Sequence, residues 1–181
     1  MMKIRIALIA ILVLLLGGWA VMTHESSAPI TEASAPAQRL DRFTASADAE
    51  HPCIGTERCV LVYMAPWCPH CNGSIPLVRK VREQLNANDD TGMMVIVGPG
   101  GGSYAGHERM GRELGGEVFL DPEGEVWEGE FGHIDAVPAW AVFDGSGRMI
   151  RHFTGGTTRS DEEIVQAVLR DQLRLGRYFE F

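Results

Sequence analysis

Positive charge is scarce in this chain and nowhere gathered. Lysine and arginine number 16 against 24 aspartates and glutamates in 181 residues, a formal charge of -8, and the basic residues form no stripe or tail. That pattern does not fit a nucleic-acid partner. Cysteine is sparse too, four in all. Only Cys68 and Cys71 are spaced as C-x-x-C, and no second such pair stands at the spacing of a zinc site. No cysteine lies near the end of the N-terminal apolar run, so nothing in the sequence signals a lipoprotein. The stretch GPGGGS at 98 to 103 lacks the Lys-Ser/Thr of a phosphate loop and the spacing of a dinucleotide fingerprint, and reads as a flexible loop. No internal repeat is visible. A hydrophobic content of 45% and a folded part of roughly 130 residues suit one ordinary domain.

What is present begins with MMKIRIALIAILVLLLGGWAVMTHE. Lys3 and Arg5 precede an uncharged run over 6 to 22, which spans about 25 Å as a helix, near the lower limit for crossing a bilayer. The positive-inside rule keeps the basic tail in the cytoplasm and exports the remainder of the chain. Residues 1–22 therefore read as a signal-anchor or a signal peptide; Gly18-Trp19-Ala20 and Ala33-Ser34-Ala35 offer small residues suited to cleavage. Residues 23–50, rich in Ala, Ser, Pro and Thr without apolar periodicity, read as a flexible linker. Residues 51–181 read as the folded domain, in an extracytoplasmic, periplasmic compartment where disulfides persist.

Along that domain the pattern alternates. Strands are expected over 60 to 64, 93 to 97, 118 to 120, 139 to 143 and 149 to 153. Helices are expected over 69 to 85, 104 to 114 and 161 to about 175, the last opened by a capping box of Ser160 and Glu163. DGSG at 144 to 147 reads as a hairpin turn. Strands separated by helices early and a hairpin late imply an α/β fold around a mixed sheet.

Cys68 and Cys71 fall where the first strand gives way to a helix. Pro69 suits the first helical turn, where its missing N–H costs nothing. Unpaired backbone N–H groups and the helix dipole favour an anion there, and a protonated His70 adds positive charge, so Cys68 is favoured as thiolate and nucleophile. Cys71, one turn on and more enclosed, is placed to resolve a mixed disulfide.

The strand followed by WCPHC, a helix with Pro76 five residues after the second cysteine, and VPAW opening a later strand together resemble the thioredoxin superfamily. FLDPEGEV and FGHIDAVPAWAVFDGSGRMIRHFTGG resemble its exported, membrane-anchored TlpA/ResA-like branch. The CPHC site and the valine before proline resemble those of DsbA, an exported disulfide donor, but about fifty residues between Cys71 and Pro138 leave no room for DsbA's inserted helical domain. The resemblance covers residues 60 to 175. It implies a thioredoxin fold with helices on both faces of a mixed central sheet and a cis-Pro loop facing the C-x-x-C. It also implies a protein thiol-disulfide oxidoreductase without cofactor or bound metal. Its partners would be client proteins with cysteine thiols or disulfides and a membrane redox partner. Pro138, with Val137 beside it, takes the cis-Pro role, and Trp67 shields the disulfide and helps receive substrate unless it is a plain core residue. One departure stands out. The buried acid six residues before the first cysteine is replaced by Val62, which tilts the reading toward disulfide donation; Glu83 or a water is the conceivable substitute.

Other readings stay open at this point. The enzyme could instead be a membrane-tethered reductase of the cytochrome c maturation type. Cys68, His70 and Cys71 could deliver copper(I), since soft ligands suit it. A non-catalytic interaction module would make the cysteines dispensable. Cys53 and Cys59 in HPCIGTERC read as a structural disulfide, with a relay to Cys68 as the alternative. Glu123, Glu125, Glu128 and Glu130 read as a solvated turn and edge, and His107, His133 and His152 as isolated surface or structural residues.

Overall fold

The computed structural model describes residues 28–37, 40–43, 50–85, 87, 89–98, 104–132 and 134–155. The expected membrane segment, the helix at 161 to 175, His133 and most of GPGGGS lie outside the described residues. Among those described, no helix is long and apolar enough to cross a membrane.

Six strands form one mixed sheet in the order β1-β4-β3-β2-β5-β6. They are β1 (Asp41–Phe43), β2 (Arg58–Met64), β3 (Thr91–Val97), β4 (Val118–Leu120), β5 (Ala139–Asp144) and β6 (Met149–Thr154). The helices among the described residues are α1 (Pro69–Leu85), α2 (Tyr104–Leu114) and α3 (Glu125–Glu130). β2, β3 and β4 run parallel, while β1 pairs antiparallel with β4, β5 with β2, and β6 with β5. The central strands are buried on both faces, which is why RCVLVYM and TGMMVIV are apolar runs rather than alternating ones. Val60, Val62 and Met64 of β2 point to one face, under Ile75, Val78, Val81 and Leu85 of α1 and Met110 and Leu114 of α2. Cys59, Leu61 and Tyr63 point to the other, against Val126 of α3 and Phe131. The hairpin forms as expected: Asp144 Oδ1 accepts hydrogen bonds from the backbone N–H groups of Ser146 and Arg148, and Gly147 takes the left-handed φ of 77° that the turn requires.

The segment expected to be a free linker is not free over its described length. Ile30 is 1% exposed and joins the second-face core with Ala35 and Ala37. The Ile30 N–H donates to the Thr56 carbonyl (2.6 Å), and the Gly55 N–H returns a bond to the Ile30 carbonyl (2.9 Å). Ser34 Oγ donates to the Gly145 carbonyl (3.0 Å), and residues 41 to 43 add the edge strand β1 to β4. The hairpin accepts this strap because it carries glycines. A Cβ at Gly145 would collide with the Ala28 carbonyl, and one at Gly147 with that of Ser34. Residues 28–37 and 40–43, expected to be linker, are thus packed against the domain. Ile30→Ala should cost about 2 to 4 kcal/mol in a denaturant titration, because it empties a fully buried site. A cost near zero would return the segment to a free linker.

The acidic stretch is likewise more than a solvated turn. Residues 125 to 130 form α3, and Glu130 is half-buried, with its Oε1 accepting the Ala37 N–H (2.8 Å). Burial raises the Glu130 carboxyl above the usual range. His107 lies in the interior of the fold, whereas His152 is exposed.

Candidate active site

α1 begins at Pro69, so Cys68 occupies its N-cap position and Pro69 the first helical one. The Cys68 N–H donates back to the Ala65 carbonyl (3.1 Å), and the Cys68 carbonyl accepts the first helical bond from Asn72 (3.2 Å). Both cysteines are unbonded thiols. Cys68 is 5% exposed and the Cys71 side chain is wholly enclosed. His70 and Pro69 are exposed in the first turn of the helix.

The Val137–Pro138 peptide bond is cis, and Cys68 Sγ donates to the Val137 carbonyl at 3.5 Å. Pro138 is buried and Val137 half-buried at the mouth of the site. Trp67 is 54% exposed beside Cys68, which rules out the plain core reading of that tryptophan. The fold thus gathers Trp67, Cys68, Pro69, His70, Cys71, Val137 and Pro138 at the C-terminal end of β2.

Cys71 Sγ accepts a hydrogen bond from the Ala65 N–H (3.4 Å). Burial pushes the Cys71 thiol up to about 12; the Ala65 bond opposes that rise, while a hydrogen bond to Cys68 and its charge add to it. Val62, at the position where an acid is absent, is fully buried on the same face and pairs across the sheet with Trp140. A carboxylate does lie deep in the protein, but elsewhere. Asp121 is 2% exposed, and its Oδ2 accepts from Tyr63 Oη (2.6 Å) and from the N–H groups of Val126 and Trp127 (3.1 Å each). Burial and this bond hold the Tyr63 hydroxyl far above its ordinary range, so it stays a donor.

Sequence reasoning missed Asn72. Its Nδ2 donates to the Pro66 carbonyl (3.2 Å) and to that of Cys68 (3.0 Å), bracing the turn that presents Trp67 and Cys68. An asparagine just after the second cysteine was the available signal. Among the described residues, no group of three His, Cys, Asp or Glu side chains is arranged to hold a metal ion.

Cys53 and Cys59 are joined in a disulfide, with a Cα–Cα distance of 5.2 Å. Cys59 lies at the start of β2 and Cys68 beyond its end, so the strand's length, about 20 Å, separates the two pairs. Replacing Cys53 and Cys59 together by alanine should lower stability by about 2 kcal/mol while disulfide exchange persists. Loss of exchange in the still-folded double variant would instead make this pair a relay.

No family model matches the chain, and no curated protein matches it. Solved structures do. MTB dsbF, in mixed oxidized and reduced forms, is 24% identical over 63% of this chain and 80% of its own, with a TM-score of 0.51. A secreted Mycobacterium tuberculosis disulfide oxidoreductase homologous to E. coli DsbE is 20% identical over 63% and 81%, at 0.50. A thioredoxin-like protein in its oxidized form is 18% identical over 79% and 95%, at 0.57. The chain has a thioredoxin-like fold.

Proposed function

We propose that this chain is an exported protein thiol-disulfide oxidoreductase that donates disulfides to client cysteines through Cys68 and Cys71. The observation that carries the reading is a free dithiol at a helix N-terminus, with the Cys68 sulfur against the cis-Pro loop and the second thiol sealed beneath it.

In the exchange, a client thiolate attacks Cys68 Sγ of the oxidised pair, forming a mixed disulfide and expelling Cys71 as thiolate, which takes up a proton. A second client thiolate then attacks the client sulfur, closing the client disulfide and releasing the Cys68 thiolate. The client loses two electrons and the pair gains them. The raised Cys71 pKa makes it a poor leaving group in this direction and a poor attacking thiol in the reverse one. Direction is therefore a matter of how well the reduced form is stabilised. Cys68 at the helix N-terminus, with His70 exposed in the first turn, supports donation. The exposed Trp67 and the Val137 carbonyl suit an extended client segment laid across Cys68.

Export is supported by the N-terminal apolar run and by the formed Cys53–Cys59 disulfide. We read residues 1–22 as a membrane anchor. The test of the function is oxidative refolding of a reduced, unfolded client. Catalytic turnover with oxidised glutathione as terminal oxidant is expected, and turnover only in the reductive direction, on insulin with dithiol supplied, would replace donor by tethered reductase.

A further inference from the structure

We infer that Asn72 is a positioning residue that makes the site select protein clients over small thiols, by clamping the backbone on both sides of Trp67. The inference rests on the reading of Trp67 as part of the client-receiving surface and of Cys68 as the sulfur that a client attacks.

Residues 65 to 68 carry the chain from β2 into α1, and in that turn Pro66 and Cys68 are buried while Trp67 between them is 54% exposed. A side chain more than half in solvent is steered largely by its own backbone. Asn72 Nδ2 reaches both flanks of that backbone, donating to the Pro66 carbonyl (3.2 Å) and to the Cys68 carbonyl (3.0 Å). The Pro66 end has a second support, because Gly106 in the first turn of α2 lies against the proline ring, where a Cβ would stand 3.6 Å from Pro66 Cβ. The Cys68 end has its own supports as well. The Cys68 N–H donates to the Ala65 carbonyl (3.1 Å), and the Cys68 carbonyl accepts from the Asn72 N–H (3.2 Å), a backbone bond that survives any change of the Asn72 side chain. What the amide alone supplies is the tie from one end to the other, across Trp67.

Asn72 is itself exposed, so its replacement empties no core. The two bonds are between neutral groups, and their loss loosens the peptide units around Trp67 without unwinding α1. Two kinds of attacking thiol feel that loosening differently. Cys68 is 5% exposed, with the Val137 carbonyl 3.5 Å from its sulfur. A small thiol needs only the approach to that sulfur. A protein client must also lay its chain beside it, and Trp67 meets that chain. A loosened Trp67 therefore weakens the holding of a client and leaves attack by a small thiol nearly unchanged.

The test is reduction of the oxidised Cys68–Cys71 pair in the full chain, by a reduced, unfolded client and, separately, by glutathione. In both reactions a thiolate attacks Cys68 Sγ to form a mixed disulfide, and Cys71 leaves as thiolate and takes up a proton. Asn72→Ala is expected to slow the reaction with dilute client about ten-fold, through weaker apparent client affinity rather than a lower maximal rate, while glutathione reacts within about two-fold of wild type. Trp67→Ala is expected to show the same pattern. The double variant should be no worse than Trp67→Ala alone, because the clamp acts only through the indole. Equal losses with client and glutathione, those of a variant that fails to fold included, would make Asn72 a general brace of the turn and overturn the inference. An unchanged client rate in Asn72→Ala, or losses that multiply in the double variant, would overturn it too. A wild-type pair that glutathione reduces and the client does not would remove the client reading itself, and the selection with it.

Discussion

Cys68→Ser is expected to abolish disulfide exchange, by roughly a thousand-fold or more, because the Cys68 sulfur is the atom that exchanges in either direction and a hydroxyl does not replace it. Cys71→Ser is expected to have a different signature. Without Cys71 no oxidised pair forms to donate, but Cys68 can still attack a client disulfide, and the mixed disulfides so formed accumulate because Cys71 is no longer there to resolve them. Non-reducing electrophoresis of each variant with a client checks both. Adducts that form with Cys68→Ser and not with Cys71→Ser would reverse the two roles. The enclosure of Cys71 under the Ala65 amide, against the 5% exposure of Cys68 beside the Val137 carbonyl, sets the expected order.

The largest stability effect is expected far from the cysteines. Asp121→Ala should cost about 3 to 5 kcal/mol, because it strands three donors at once: the buried Tyr63 hydroxyl and Val126 N–H, and the part-buried Trp127 N–H. Tyr63→Phe removes only one of those bonds and should cost about 1 to 2 kcal/mol. Urea titrations of the two variants provide the comparison. A cost for Asp121→Ala no larger than that for Tyr63→Phe would mean that the carboxylate is not what fixes α3 to the sheet.

Much of the frame could be read from the residues. β2 and β3 are apolar without interruption, α1 carries Ile75, Val78 and Leu85 on one side, and Asp144 with Gly147 marks the hairpin. The cysteine pair, Trp67 and Pro138 were found from their motifs, and the fold brings them to one end of the sheet. The strap was not legible, because its docking depends on one isoleucine and on backbone carbonyls lying over Gly145 and Gly147. Such contacts leave no periodic trace, and a segment of alanine, serine and proline looks unstructured. α3 escaped for a related reason. Six residues are too short to show a helical period, and the anchor that fixes them, Asp121, lies ahead of the element, across the turn. Asn72 acts through its own loop's carbonyls, a local geometry that no spacing reveals.

The reduction potential of the Cys68–Cys71 couple, measured by equilibration with glutathione, bears most directly on disulfide donation. DsbA, at about -120 mV, and thioredoxin, at about -270 mV, are separated by roughly 7 kcal/mol for two electrons, so the two behaviours are easily told apart. Disulfide donation through a helix N-terminal Cys68 expects a couple more oxidising than about -200 mV, moved to more negative values by His70→Pro. A wild-type couple near -270 mV, unmoved by His70→Pro, would contradict disulfide donation and leave a tethered reductase in its place.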